Sequence, residues 1–565
     1  MPNLMTHLLP EKLKQSYRAE IQKSLDRKLI PRIWENDATV WTGTDEAKWL
    51  GWLTVVAEEM ENLQVYRKLH SDIEAAGFTH TLLMGMGGSS LCPEVLAATF
   101  GIENFHIIDS TVPAQVISVE SKLDLAGTLF IVASKSGSTL EPNCFYKYFF
   151  DRAGKASVDG NAGGRFIAIT DPGSKMEQTA RERGFRELVY GKPEIGGRFS
   201  ALSAFGLTAA GAMGLDVERL LRSADVMVQA CRSTNPTENP GAILGTLLGV
   251  CHREGRDKLT IFLPPEFYDL GAWLEQLIAE STGKNGMAII PVDREGIQAV
   301  DHYGDDRVFV NFTVRGVAVE EDVQNDLSDI AEAGHPMINI EITDKYSIAQ
   351  EFFRWEFATA VAGSLMGINP FDQPDVESAK IEARKITDSY EVSGQLPPEE
   401  PFYTEDAFAL FSRADYAAEL ENAADERSLA GFLEAHLWNI AENDYFAILA
   451  FIEMDPDHEE ILQQIRELVL EHYSVATCIG FGPRFLHSTG QAYKGGPNNG
   501  VFLQITCDDP VDVPVPGQKY SFGIVKAAQA RGDFQVLLDR GRRALRVHIS
   551  GDVHQGLERL LDLIG

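Results

Sequence analysis

Glu280 stands where an apolar helix pattern gives way to a polar loop, a placement that suits a proton-transferring carboxylate. The stretch LPPEFYDLGAWLEQLIAESTGK, Leu263 to Lys284, follows an apolar strand (258–263) and two prolines. Its apolar Leu270, Trp273, Leu274, Leu277 and Ile278 recur at helical spacing. The helix is expected to stop at Glu280, directly before Ser281, Thr282 and Gly283. A carboxylate delivered there can lose water and gain basicity, as a general base requires. A solvated helix-end glutamate has the same local sequence.

Two further turns have the chemistry of an anion site. GMGGSS, with Gly87, Gly88 and Ser89, ends an apolar strand from Thr79. SKSGST, with Ser134, Lys135, Ser136, Ser138 and Thr139, follows the strand TLFIVAS and opens a helix at Leu140. Hydroxyls and backbone N–H groups at the positive end of a helix dipole suit a phosphate. They also suit simple capping. Neither turn is a Walker A loop or a GxGxxG turn, so nucleotide binding has little support. In GGRFSALSAFGL a glycine pair precedes Arg198, which needs an anion or a neighbouring carboxylate at the start of an apolar helix. Lys380, in FDQPDVESAK, is solvated by default. His487, in GPRFLHSTGQAYKGG, lies between an apolar segment and a glycine-rich loop, and a lone histidine is more often structural than catalytic.

The elements that position these residues read as α/β. Residues 1–70 form a helical lead-in, with charged amphipathic stretches at Lys12–Leu29 and Asp45–Leu69. From Thr79, strands at Phe105–Asp109, Thr128–Ser134 and Arg165–Thr170 alternate with helices, which implies a parallel sheet covered on both faces. Ligands in such sheets bind at the carboxyl ends of the strands, where both polar turns fall. A second unit has strands at 258–263, Met287–Val292, Arg307–Val314 and Met337–Ile342, and a long apolar helix from Ile348 to Met366. Ser393–Pro401 reads as a linker. A third α/β region follows, with strands at Tyr445–Ile452, Val475–Phe481, Gly500–Ile505 and Leu545–Ser550. The expected division is 1–70, 71–225, 226–392 and 402–565.

Composition narrows the function. Several domains are expected of 565 residues, and 44% hydrophobic with 24% charged residues is ordinary for globular domains. The net charge of −33 argues against nucleic acid or anionic membranes as partners, so an anionic substrate must be held locally. No apolar run is long enough for a membrane span. The cysteines, scattered and without a CxxC pair, read as free thiols of a reducing cytoplasm. No HExxH or Cys/His cluster suggests a metal.

Together these motifs resemble the phosphoglucose isomerase family, built from sugar isomerase (SIS) domains. GMGGSSL is similar to the family's GIGGS turn, SKSGSTLEP to its SKTxTTxE phosphate loop, and GGRFSALSAFGL to GGR[FY]SxxSxxGL. ESTGK is similar to ESxGK, and FDQPDVESAK to FDQxGVExxK. Five motifs in order over about 300 residues are far more specific than any one of them. The resemblance implies two SIS-type α/β sandwiches plus the extra C-terminal α/β domain. It implies Glu280 as the base, Arg198 and Lys380 as active-site cations, and a sugar phosphate held by Gly87, Gly88, Ser89, Ser134, Lys135, Ser136, Ser138 and Thr139. The implied reaction is isomerisation of glucose 6-phosphate and fructose 6-phosphate, with no metal or redox cofactor. In one respect the chain departs from the family. The ring-opening histidine, near HSxxQ, is expected between the glutamate and the lysine, where His302 stands without the motif. HSTGQ instead occurs at His487, which is favoured because its surroundings match. This arrangement is most like the isomerase half of transaldolase–phosphoglucose isomerase fusions, which implies association with a transaldolase. The usual family dimer implies a homodimer. Alternatives are a dual phosphoglucose/phosphomannose isomerase and a non-catalytic SIS sensor. The sensor would have no need of Glu280, Arg198 and Lys380 together. A glucosamine 6-phosphate synthase-like enzyme would need an N-terminal Cys-nucleophile domain in place of Met-Pro and a helical stretch.

Overall fold

The computed structural model describes residues 1–157 and 160–565. Its strands are β1 (Leu4–Leu8), β2 (His80–Met84), β3 (Phe105–Ile108), β4 (Thr128–Ala133), β5 (Phe166–Thr170), β6 (Glu187–Tyr190), β7 (Lys258–Phe262) and β8 (Ile290–Asp293). The remainder are β9 (Arg307–Val314), β10 (Met337–Ile342), β11 (Tyr403–Glu405), β12 (Phe408–Phe411), β13 (Tyr445–Phe451), β14 (Ala476–Phe481), β15 (Gly500–Cys507) and β16 (Arg543–Ile549). The described residues form three sheets, and the fold is α/β.

The first sheet has the order β3-β2-β4-β5-β6, with every pairing parallel. Every residue of β4 is buried, as helices on both faces require. The chain leaves β2 toward β3 on one side, and β4 returns on the other. The turns after β2 and β4 therefore diverge and open a crevice at the carboxyl edge. This is why Gly85–Ser90 and Ser134–Thr139 flank one crevice.

The second sheet, β1-β10-β9-β7-β8, is parallel except for β1, which runs antiparallel along β10 with Leu4 opposite Glu341. The helical lead-in expected from the sequence thus begins as a strand. The expected helix at Asp45–Leu69 is also broken. Short turns at Glu46–Trp49 and Gly51–Leu53 precede helices Val55–Glu61 and Leu63–Ala76. The break is forced by close contact: a Cβ on Gly51 would lie 2.6 Å from Glu194 Cγ.

The third sheet has the order β11-β12-β16-β15-β13-β14, parallel from β16 to β14 and closed by the antiparallel β11–β12 hairpin. It is clamped to the second through a buried network. Arg307 on β9 grips Glu295 with bonds of 2.8 and 3.2 Å, and Glu295 Oε1 accepts from the backbone N and hydroxyl of Thr477 on β14, both at 3.0 Å. It also enters the first sheet's core, where Phe522 stacks on Phe145 at 6.0 Å. Its helix Phe522–Asp539 crosses helix Pro374–Ser393 so closely that a Cβ on Gly532 would lie 2.8 Å from Ala383 N. Among the described residues no helix is long and apolar enough to cross a membrane.

Candidate active site

A cavity of about 500 Å³ lies where the three sheets' loops converge. Arg198, Glu280, Lys380 and His487 all line it, with Gly87, Gly88, Ser89, Ser134, Lys135, Ser136 and Thr139 from the two turns. Ser138 does not. It lines an adjoining chamber of about 350 Å³ that shares Ser136, Thr139, Lys380 and His487 with the first. His302 lines neither.

The two turns interlock with the arginine loop. Gly87 has a φ of +55°, which favours glycine, and a Cβ there would lie 2.5 Å from Gln276 Nε2. In the second turn Gly137 adopts a φ of +66° and lies against the backbone of Met176. Thr139 is the N-cap of helix Leu140–Lys155, yet its hydroxyl makes no cap bond. Ser134 is 3% exposed and its hydroxyl has no partner among the described residues. An unbonded buried hydroxyl in a cavity wall is costly unless something occupies the cavity. Simple capping therefore does not account for this turn. Ser136 is engaged within the loop, its hydroxyl 2.8 Å from that of Ser138. Lys135 is tied back to Asp171 at 2.5 Å and to the Lys192 carbonyl at 2.8 Å, so it braces the loop.

The helix carrying Glu280 runs from Leu270 to Thr282, slightly past the stop expected from the sequence. The extra residues are pinned: Thr282 Oγ1 donates to the Ile278 carbonyl at 2.7 Å, and Ser281 Oγ accepts from Arg198 Nε at 2.7 Å. Gly283 then lets the chain lie against the third region, where a Cβ would fall 2.2 Å from Ala492 Cα. Glu280 is 8% exposed and Arg198 2%. Arg198 Nη1 stands 3.4 Å from Glu280 Oε1 and donates to Gln373 Oε1 at 2.9 Å. Its Nη2 donates to the carbonyls of Pro370 and Asp372 at 2.8 and 3.0 Å. Burial pushes the guanidinium below its ordinary value, and the charges of Glu280 and Asp372 oppose the change. Neighbouring Lys284 is lowered to about 8, by burial first and then by Arg198. It donates to Asp372 Oδ1 at 2.7 Å.

His487 reaches the cavity from the short turn Arg484–His487 that follows β14. Its Nε2 lies 2.9 Å from Glu141 Oε1, in the first turn of the helix that Thr139 caps. Burial pushes the Glu141 carboxyl up, but the charge and hydrogen bond of His487 outweigh it and hold the group below the ordinary glutamate value. Gln276 ties Glu280 to the His487 turn: Nε2 donates to Glu280 Oε2 at 3.1 Å and to the His487 carbonyl at 2.7 Å. Gln373 belongs to the FDQPDVESAK motif but was given no role from the sequence, and Gln276 does not stand out there. Gln276 was within reach, because it precedes Glu280 by four residues and so shares its helix face.

Chemically, the site joins a hydroxyl-lined helix N-terminus, a buried carboxylate beside a buried guanidinium, a histidine–carboxylate pair and a lysine. That set can hold a phosphoryl group at one end and move protons at the other.

Residues 56–309 match the phosphoglucose isomerase family model. That span holds both polar turns, Arg198 and Glu280, but not Lys380 or His487, which come to the site through the fold. A glucose-6-phosphate isomerase of Synechococcus sp. (strain JA-3-3Ab) is 30% identical over 368 residues, 57% of this chain and 69% of that protein. One from Methanocaldococcus jannaschii is 26% identical over 357 residues, 57% of this chain and 86% of that protein. Among solved structures, a hypothetical protein of Thermus thermophilus aligns with TM-score 0.58 at 23% identity, over 67% of this chain and 99% of its own. A glucose-6-phosphate isomerase of Chlamydia trachomatis aligns with TM-score 0.53 at 19% identity, over 67% of this chain and 87% of its own. These two likenesses establish the fold. The sequence matches, the Synechococcus relative above all, identify the chain as a member of the phosphoglucose isomerase family.

Proposed function

We propose that this chain is a glucose-6-phosphate isomerase, interconverting glucose 6-phosphate and fructose 6-phosphate through a cis-enediol(ate). The observation that carries the reading is the convergence of Glu280, Arg198, Lys380 and His487 with the Ser134–Thr139 turn on one cavity of about 500 Å³. In this reading residues 71–225 anchor the phosphate on Ser89, Ser134, Ser136 and Thr139, with Ser138 and Lys135 shaping the turn. Binding energy from that remote group orients the reacting carbons. Residues 226–392 supply Glu280 and Lys380, and residues 402–565 supply His487.

His487, with Lys380 nearby, moves a proton between the anomeric hydroxyl and the ring oxygen to open the ring. Glu280 then takes the C2 proton and returns it to C1. General acid–base transfer of this kind contributes about 10²–10⁴-fold. Arg198, held by two backbone carbonyls, the Gln373 amide oxygen and the Ser281 hydroxyl, is placed to stabilise negative charge on the enediolate oxygens. His487 lines the cavity from within the same chain. A homodimer and association with a transaldolase complete the proposed assembly. The unpaired buried cysteines fit a reducing compartment, and we place the protein in the cytoplasm.

The test is a coupled assay of the native chain for conversion of fructose 6-phosphate to glucose 6-phosphate, with EDTA present. Turnover supports the reading. Binding of fructose 6-phosphate without turnover would replace it with the sensor reading.

A further inference from the structure

We propose that Gln529, a residue of the C-terminal helix Phe522–Asp539, is a positioning residue that decides which ring nitrogen of His487 faces the substrate. The inference rests on the isomerase reading for what His487 does, but not for its tautomer. Gln529 lies outside the main cavity wall and belongs to none of the family-like motifs. It is 3% exposed and sits in a chain of short hydrogen bonds. The hydroxyl of fully buried Thr111 donates to Gln529 Oε1 at 2.6 Å. Gln529 Nε2 donates to Glu141 Oε1 at 2.6 Å. The same carboxylate oxygen lies 2.9 Å from His487 Nε2.

Each link constrains the next. A primary amide has one acceptor oxygen and one donor nitrogen. With its oxygen engaged by Thr111, Gln529 can offer Glu141 only N–H. An ionised carboxylate accepts and does not donate, so the His487 contact requires a proton on Nε2. In its neutral form, the one able to take a proton, the imidazole carries one ring proton. Nδ1 is therefore the acceptor, and it makes no hydrogen bond within the protein among the described residues. Nδ1 is the nitrogen left to take the hydroxyl proton of the sugar and deliver it to the ring oxygen. Removing Gln529 leaves Glu141 buried with one donor fewer and frees it to turn from His487. The helix crossing at Gly532 and Ala383 holds Gln529 in register, so the C-terminal region supplies the histidine and also sets its orientation.

The experiment is 15N NMR of the 15N-histidine-labelled chain, native and Gln529→Leu, with the His487 signals assigned by difference from His487→Asn. It is paired with steady-state kinetics on fructose 6-phosphate. In its neutral form the native His487 should show protonated Nε2 and bare Nδ1. Gln529→Leu should lose that pattern and fall about 10-fold or more in kcat, the scale of removing an outer hydrogen-bond partner. Its KM should stay within about twofold, because the phosphate anchor is untouched. If Gln529→Leu does not fold, Thr111→Val with the same readouts takes its place. A variant that keeps the native tautomer and kcat overturns the proposal. If the native chain fails to isomerise sugar phosphates, the isomerase reading falls while the tautomer measurement still decides the role of Gln529.

Discussion

Gly88 and Gly197 touch through their backbones: a Cβ on Gly88 would lie 2.0 Å from the Gly197 carbonyl oxygen. That contact joins the first polar turn to the loop carrying Arg198. Gly88→Ala must push the two apart, and shifts of about 1 Å can cost about 10²-fold in rate. We expect kcat/KM for fructose 6-phosphate to fall by about that factor in the Gly88→Ala protein. Activity within twofold of native would mean that the turn yields without moving Arg198.

His487 and His302 part in the structure. His487 lines the cavity and His302 does not. We expect His487→Ala to lower kcat by about 10²–10⁴-fold, and His302→Ala to leave it nearly unchanged. The reverse pattern in parallel kinetic assays would relocate ring opening to His302.

Arg307 and Glu295 form a bidentate pair that is almost wholly buried where the second and third sheets meet. Arg307→Met would strand the carboxylate between Thr477 donors and apolar neighbours. Breaking such a pair costs about 3–5 kcal/mol. Urea unfolding should show a loss of that size, and the double variant Arg307→Met/Glu295→Leu should recover much of it. An unchanged midpoint in the single variant would show that Glu295 is not held as a charge.

Glu356 lies on helix Ile348–Met366, fully buried, with no hydrogen bond to either carboxyl oxygen among the described residues. Burial pushes its carboxyl well above the ordinary value. The folded protein therefore holds this proton at pH values where the unfolded chain has released it. The stability it contributes is complete below the unfolded value and declines as pH rises toward the folded one, by about 1.4 kcal/mol per pH unit. Glu356→Gln removes the titration. Melting temperatures should then favour the variant increasingly as pH rises above about 5, the unfolded carboxyl range. A constant difference across that range would show that Glu356 does not titrate anomalously.

Much of this was legible because the relevant signals are local. Alternating strands and helices placed the turns of Gly87 and Ser134 at one sheet edge, and the apolar spacing from Leu270 to Ile278 placed Glu280 near a helix end. What was not legible is long-range. Nothing within LMTHL announces a strand that pairs with Met337–Ile342. The break at Gly51 comes from contact with Glu194, far along the chain. Gln529 and Thr111 carry no pattern of their own, and their role exists only because the C-terminal region folds over the first sheet's edge. Sequence spacing also gave no direction for Ser138, which lines the neighbouring chamber with its hydroxyl 2.8 Å from that of Ser136.

Whether Glu280 moves the proton is decided by kcat of Glu280→Gln on fructose 6-phosphate. The substitution keeps the shape and the Arg198 contact while removing the base. We expect a loss of about 10²-fold or more with KM little changed. Turnover equal to that of the native chain would contradict this role and assign the proton transfer to another group in the cavity.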